Sequence, residues 1–347
     1  MIESFGNRTW KDHWHALSRE IGLSFQEWLG TPARLMVWAE QFPPTDVPPI
    51  GSAAGGIDET RVAPWHRFGQ WSAFDFPRRE DGLLMGWTRD SFGSYSGCRR
   101  ICQPLSNLAS TTKRRVAVDI RNIDGLGCSK GPLHKYDCLA DFARHECGRE
   151  LGAADEATLY SALAHREIRI IHQEKPSDHL SFYAWDNRVF LSNAGGSHHF
   201  AAAQYLAVIF DRPIVIEATL HETILSEPAI ESLRSEFNVF AVHDKAQSEC
   251  AFMDAMKPSD IPFYWMPLPT RLGQARAIFL PRSDQRASRV AAVLRQSGFT
   301  DLGVLLLDIA QKQRTPDDRI TELEHISTSG RINEKLRGQI AERLTAA

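Results

Sequence analysis

Apolar and polar positions along the chain follow two periods, and the changes of period outline its elements. Residues 1–41 carry Phe25, Trp28, Leu29, Leu35, Met36 and Trp38 at spacings that suit an apolar helix face, with Gly30-Thr31-Pro32 as a break. Residues 42–64 hold five prolines and a Gly/Ala/Ser patch, the composition of a linker or long loop. Residues 65–136 give mixed signals: a strand at 116–120, a Gly-rich loop at 124–132, and otherwise an unassigned α/β region. The pattern sharpens after Tyr136. Residues 137–151 and 155–165 read as helices, the second with Leu159 and Leu163 at i,i+4. Residues 167–172 (EIRIIH), 180–185, 189–192 and 214–220 read as strands, with Asp186-Asn187 as a hairpin turn between the middle pair. Residues 198–210 read as a helix, and Asp211-Arg212-Pro213 ends it. Further on, 227–237 is helical with Ser226 as N-cap, 239–242 and 277–280 are short strands, and 284–347 alternates helical patterns with polar turns. The predicted class is α+β: a core over 137–225, an extension over 226–283, a helical N-terminal segment over 1–41 and a helical C-terminal subdomain over 284–347.

Composition narrows the function classes. The chain has 347 residues, 43% of them hydrophobic and 24% charged, which predicts a folded protein. Forty Lys and Arg stand against 43 Asp and Glu, for a formal charge of −3, so the bulk basicity of a general nucleic-acid binder is missing. The longest nearly apolar stretch, 201–210, is interrupted by Gln204 and is about half the length of a membrane span. The N-terminus lacks the basic-then-apolar pattern of a secretory signal. Six irregularly spaced cysteines read as reduced thiols, and the expected location is the cytoplasm.

The most specific local feature is strand, Gly-Gly-Ser, helix at 189–210. Gly195 and Gly196 let the backbone turn tightly, Ser197 is a favoured N-cap, and the first helical turn offers N–H groups and the positive dipole end to a phosphate. His198 and His199 oppose that dipole if charged, so they call for an anion or for neutrality. The plainer reading is a tight strand-to-helix corner with one core and one solvent histidine.

In order, the helix 155–165, the strand EIRIIH, the hairpin LSFYAW-DN-RVFLSN, the turn-helix AGGSHHFAAAQYLA and the strand after Asp211-Arg212-Pro213 resemble the ParB/sulfiredoxin-like superfamily over about residues 152–225. That resemblance implies a bacterial or phage protein that binds ATP or another nucleoside triphosphate, with Gly195, Gly196, Ser197, His198 and His199 on the phosphate turn. It implies phosphoryl transfer or nucleotide hydrolysis, with Mg²⁺. Two positions depart from the family pattern. His199 stands where arginine is common, and an imidazole binds phosphate less firmly than a guanidinium. Ser197 stands where sulfiredoxins carry their catalytic cysteine, which excludes sulfiredoxin chemistry.

Phosphoryl chemistry also needs a carboxylate, as base or as Mg²⁺ ligand. Glu174 and Asp178 flank the turn after EIRIIH, and Glu217 interrupts the apolar strand IVIEATL; these three join His198 as candidate catalytic residues. Taken alone, each acid also fits a solvated surface group. Cys138, Asp141 and His145, with Glu146 beside them, lack the paired spacings of a structural zinc site, and Cys98/Cys102 is a weak metal or redox signal. Arg99-Arg100 and Lys113-Arg114-Arg115 can contact nucleic-acid phosphates, although an ordinary solvated face suits the net charge better. The alternative to a nucleotide enzyme is a non-catalytic module binding nucleic acid or a protein partner, or a nuclease or toxin of a bacterial conflict system.

Overall fold

A computed structural model of the chain describes residues 10–28, 30–44, 55–71, 80–269, 275–316, 320–322 and 331–346. The protein is α+β, with helical stretches at both ends of the chain. Its contacts divide it into two compact units, each assembled from separated segments.

The first unit comprises Met1–Ile50, Arg67–Leu108 and Glu227–Asp308. Its N-terminal part is α1 (Trp10–Trp28) and α2 (Ala33–Gln41), broken where the sequence places Gly30-Thr31-Pro32; Gly30 takes φ +90° there. Phe25 and Trp28, expected on a buried helix face, are 58% and 79% exposed and stack on each other instead. Leu29 lies outside the described residues. A five-stranded antiparallel sheet follows, in the order β2-β1-β9-β10-β8: β1 (Leu83–Arg89), β2 (Tyr95–Ile101), β8 (Phe237–His243), β9 (Phe263–Pro267) and β10 (Ala275–Pro281). Helices α3 (Gln103–Ser106), α9 (Glu227–Glu236), α10 (Ala246–Met256) and α11 (Gln285–Gln296) complete it, with the part of α12 (Leu302–Gln311) up to Asp308. Trp38, Phe240, Phe252, Phe263, Val290 and Leu294 share its core.

The second unit comprises Gly51–His66, Ala109–Ser226 and Ile309–Ala347. Its six-stranded mixed sheet runs β11-β3-β7-β5-β6-β4: β3 (Ala109–Asp119), β4 (Gly125–Leu126), β5 (His179–Tyr183), β6 (Val189–Ser192), β7 (Val215–Leu225) and β11 (Thr321–Glu322). The β5–β7 and β4–β6 pairs are parallel and the rest antiparallel. Around it stand α4 (Leu139–Glu146), α5 (Gly148–Leu151), α6 (Glu156–Leu163), α7 (Arg169–His172), α8 (Ser197–Ile209) and α13 (Arg331–Ala346). The residues expected as one core, 137–225, all lie in this unit, while 226–283 lie in the first and 284–347 are divided between the two.

Helix α8 is buried along most of its length because Ala201, Ala202, Ala203 and Ala207 let α4 and α6 approach closely. Asp155 caps α6 by accepting the Thr158 N–H at 2.8 Å. Residues 167–172 do not form the expected strand. They make a tight turn and the one-turn helix α7, which buries Ile168, Ile170 and Ile171; 168 and 171 fall on one helical face at i,i+3. The Pro-rich stretch 42–64 falls partly outside the described residues, at 45–54. Its later part is ordered: Ile57 is fully buried, and its carbonyl accepts the Leu126 N–H at 2.8 Å. Among the described residues no helix is long and apolar enough to cross a membrane.

Candidate functional site

Side chains alternate faces along a strand, so His179, Ser181 and Tyr183 share one face of β5, and His221 and Thr223 share one face of β7. Register sets Ser181 beside His221 and Tyr183 beside Thr223. On the flanking strands, Ser192 sits opposite His179 and Thr111 opposite Thr223. The interleaved residues Leu180, Phe182 and Leu220 point the other way, into the core. The result is a polar sheet face bounding a cleft of about 510 Å³.

Hydrogen bonds tie this floor together. The Ser181 and Ser192 hydroxyls are 2.6 Å apart, and those of Thr111 and Thr223 are 3.0 Å apart. Glu59 reaches in from the ordered end of the Pro-rich stretch, accepting from the Ser192 hydroxyl at 2.7 Å and from the Tyr183 hydroxyl at 3.2 Å. His66 stacks on Tyr183 with ring centroids 5.4 Å apart. His179 and His221 stack face to face at 3.9 Å. Burial, then the neighbouring His179 and Lys113, push the His221 imidazole down to about 4, so it is neutral at neutral pH.

Asp178, one of the expected catalytic acids, lines the same cleft and is only 2% exposed. Its Oδ1 accepts the Ala194 N–H at 3.1 Å and the Ser177 hydroxyl at 3.3 Å. Its Oδ2 is buried with no partner among the described residues, a costly arrangement for a carboxylate with only a structural task. Asn193 also lines the cleft; its side-chain amide donates to the carbonyls of Gly195 at 2.8 Å and Cys128 at 3.3 Å.

The glycine corner stands next to this cleft, and its first turn is differently furnished from an open phosphate cradle. Gly196 adopts φ +70° and its N–H donates to the Glu167 carboxylate at 3.3 Å. A Cβ at Gly196 would lie 2.7 Å from the Glu167 carbonyl, whereas one at Gly195 would have its nearest neighbour at 3.7 Å. Ser197 is buried and donates to the Ser129 hydroxyl at 3.0 Å. His198 tilts against Phe142, and His199 stacks on His165 at 3.5 Å. Burial first, then His165, lowers the His199 pKa, against the pull of Glu150 and Glu167. An anion at the start of α8 would therefore meet the Glu167 carboxylate and a His199 ring whose charging burial disfavours.

The other expected acids lie elsewhere. Glu174 is exposed in the loop before β5. Glu217 is 1% exposed and ion-paired to Arg115, while Asn333 of α13 brackets its backbone, accepting the N–H at 2.8 Å and donating to the carbonyl at 2.9 Å. It is neither on an edge strand nor in the cleft: β7 runs between β3 and β5. The basic stretch of β3 is partly neutralised, since Arg114 faces Glu222 at 3.6 Å and Arg115 faces Glu217. Burial raises the Cys98 thiol and pushes Cys102 up to about 11, opposite to the activation that exposed flanking arginines would give. Among the described residues no group of three or more His, Cys, Asp or Glu is arranged to hold a metal ion.

Sequence reasoning missed His179, His221, Glu59 and His66. The signal was present as His-x-Ser at 179–181 and His-x-Thr at 221–223, polar residues two apart that strand alternation puts on one face. No curated protein and no solved structure matches the chain. A family model does match residues 113–318, more than half of its length, and the chain thus belongs to the family of unknown function DUF6685.

Proposed function

We propose that the chain is an enzyme of phosphate-ester chemistry acting on nucleotide-class substrates, and that the reaction takes place in the cleft floored by β5 and β7. The observation that carries this reading is Asp178, a buried carboxylate with one oxygen unpartnered among the described residues, lining the same cleft as the stacked imidazoles of His179 and His221. Two imidazoles stacked in one cleft suit an acid and a base acting together. In this reading His221, neutral at neutral pH, takes the proton of the attacking water, and His179 gives one to the departing oxygen. Ser181, Ser192 and Thr223 supply hydroxyls around the phosphate. The unpartnered Asp178 oxygen fits a hard cation, so Mg²⁺ brought in on substrate phosphates would be held there and would neutralise their charge. The Gly195–Gly196 corner then acts at one remove, by fixing Ala194, whose N–H holds the other Asp178 oxygen in place.

The test is turnover of ATP, CTP, GTP, UTP and bis-p-nitrophenyl phosphate, with and without Mg²⁺, by wild type, His221→Gln, Asp178→Asn and His198→Ala. General acid–base groups contribute about 10²–10⁴-fold, so His221→Gln should lower kcat at least a hundredfold in a chain with unchanged circular dichroism. His198→Ala should stay within threefold of wild type. Full activity in His221→Gln and Asp178→Asn, or turnover of none of these substrates, overturns the reading. Loss in His198→Ala alone would move the site to the start of α8.

A further inference from the structure

The first unit contains a second, chemically different cavity, of about 760 Å³. It lies between one face of the antiparallel sheet and helices α2 and α10. The sheet side presents Met85, Trp87, Phe263, Trp265 and Ile278, and the helices present Trp38, Phe252 and Met253. These walls are braced: Phe252 meets Trp38 edge-on at 5.1 Å and Phe263 edge-on at 5.2 Å. Trp38 donates its indole N–H to the Ser248 carbonyl at 3.1 Å, which fixes α10 against α2. The volume is that of a small-molecule site, far above the packing defects of an ordinary core.

Three details specify what would fit. Gly97 of β2 stands directly opposite Trp87 of β1, and a Cβ built there meets no atom within 4 Å, so the strand leaves space beside the indole. Ser248 also lines the cavity. It is 1% exposed, and its hydroxyl has no hydrogen-bond partner among the described residues. Charge on the lining is balanced: Arg99 and Arg276 stand against Glu249 and Asp254, and Arg276 is already bridged to Glu249 at 2.7 Å and to Asp244, with its guanidinium 4.4 Å from the Trp265 ring. The formal charges of these four lining side chains cancel, and His243 also lines the cavity.

We infer that this cavity is a binding site for an uncharged, planar aromatic small molecule with one polar group directed at Ser248. Aromatic walls reward a flat ring, the balanced charges disfavour an ion, and the buried hydroxyl supplies one directional contact. This site is independent of the cleft and of the chemistry proposed for it.

Isothermal titration calorimetry of the full chain at pH 7 tests it with three probes: 2-naphthol, its anionic relative 2-naphthoate, and the non-aromatic cyclohexanol. The expected result is saturable one-site binding of 2-naphthol, with the other two at least tenfold weaker. Gly97→Leu, which fills the open space, should weaken 2-naphthol at least tenfold, and Ser248→Ala, which adds no bulk, about fivefold. Absence of saturable 2-naphthol binding, 2-naphthoate or cyclohexanol binding as tightly, or unchanged affinity in both variants would overturn the inference.

Discussion

Exchanging each glycine of the 195–196 pair for alanine separates a packing role from a ligand role. At Gly196 the backbone is left-handed, φ +70° and ψ 12°, which costs a side-chain-bearing residue roughly 1–2 kcal/mol. The added Cβ would sit 2.7 Å from the Glu167 carbonyl carbon and oxygen and 2.9 Å from the Ile168 N. These are backbone atoms at the start of the α7 turn and cannot rotate away, so the chain must shift, at an overpacking cost of roughly 1–3 kcal/mol. The loss of unfolded-state freedom gives back roughly 0.4–1 kcal/mol. Gly196→Ala should therefore destabilise by about 2–4 kcal/mol, a fall in Tm of roughly 5–15 °C for a unit of this size. Gly195 has no positive φ, and its added Cβ makes only ordinary contacts at 3.7 Å and beyond. Gly195→Ala should stay within about 0.5 kcal/mol, or about 2 °C. Differential scanning calorimetry of the two variants reads this directly. A Gly196→Ala chain as stable as wild type, or equal losses at both positions, would refute the packing argument and return the pair to a role in holding a ligand.

Three further outcomes follow from the geometry. His221 has a folded-state pKa of about 4 against about 6.5 when unfolded, so the unfolded chain binds more protons between those values. The stability His221 contributes is complete above pH 6.5 and is lost as pH falls toward 4; His221→Gln should flatten that part of a Tm-against-pH curve, and an unchanged slope would contradict the assignment. For the Arg115–Glu217 pair, the Glu217 side chain is 0% exposed and that of Arg115 39%. Arg115→Ala, which strands a buried carboxylate, should cost about 3 kcal/mol, and Glu217→Gln, which leaves a guanidinium in reach of water, about 1 kcal/mol; urea denaturation of the two variants measures the asymmetry. Cys102 and Cys147 are buried, with thiols pushed up to about 11 and about 12, so mass-mapped alkylation at pH 8 should label exposed Cys138 and Cys250 first and reach Cys102 and Cys147 only on unfolding.

Where local chemistry decided the structure, the sequence was readable. Asp155 capped its helix, Asp186-Asn187 turned the hairpin with Asn187 at φ +62°, and the strand–glycine–helix corner formed, although Gly196 and not Ser197 takes the N-cap position. The α+β class followed from the same alternation of periods. Failures came where tertiary surroundings chose between equal local options. Ile168, Ile170 and Ile171 serve a strand or a helical turn equally well, and α13, packing against α7 from far along the chain, coincides with the helical choice: Asn333 and Arg337 donate to the carbonyls of Ile170 and Ile171. Residues 65–136 were opaque because β2 is mostly polar and β3 opens on Thr, Lys and Arg, so neither carries a clean apolar alternation.

The glycine corner and the cleft beside it show why a motif and a site can separate. A phosphate cradle and a tight structural corner ask the same of the sequence: glycine, a small polar residue, then a helix. What distinguishes them is the group facing the first free N–H, and here that group is Glu167, twenty-nine residues earlier in the chain. A carboxylate satisfies the N–H and the helix dipole internally, so the corner can be stable without a ligand. Its ordered loop then presents the Ala194 N–H to Asp178, and this contact holds one carboxylate oxygen while leaving the other buried and unpartnered. Among the described residues the unmet hydrogen-bonding capacity thus lies at the adjacent aspartate and not at the helix terminus. In the proposed reading, then, substrate is sought at Asp178, where a buried oxygen lacks a partner among the described residues, and not at the glycines.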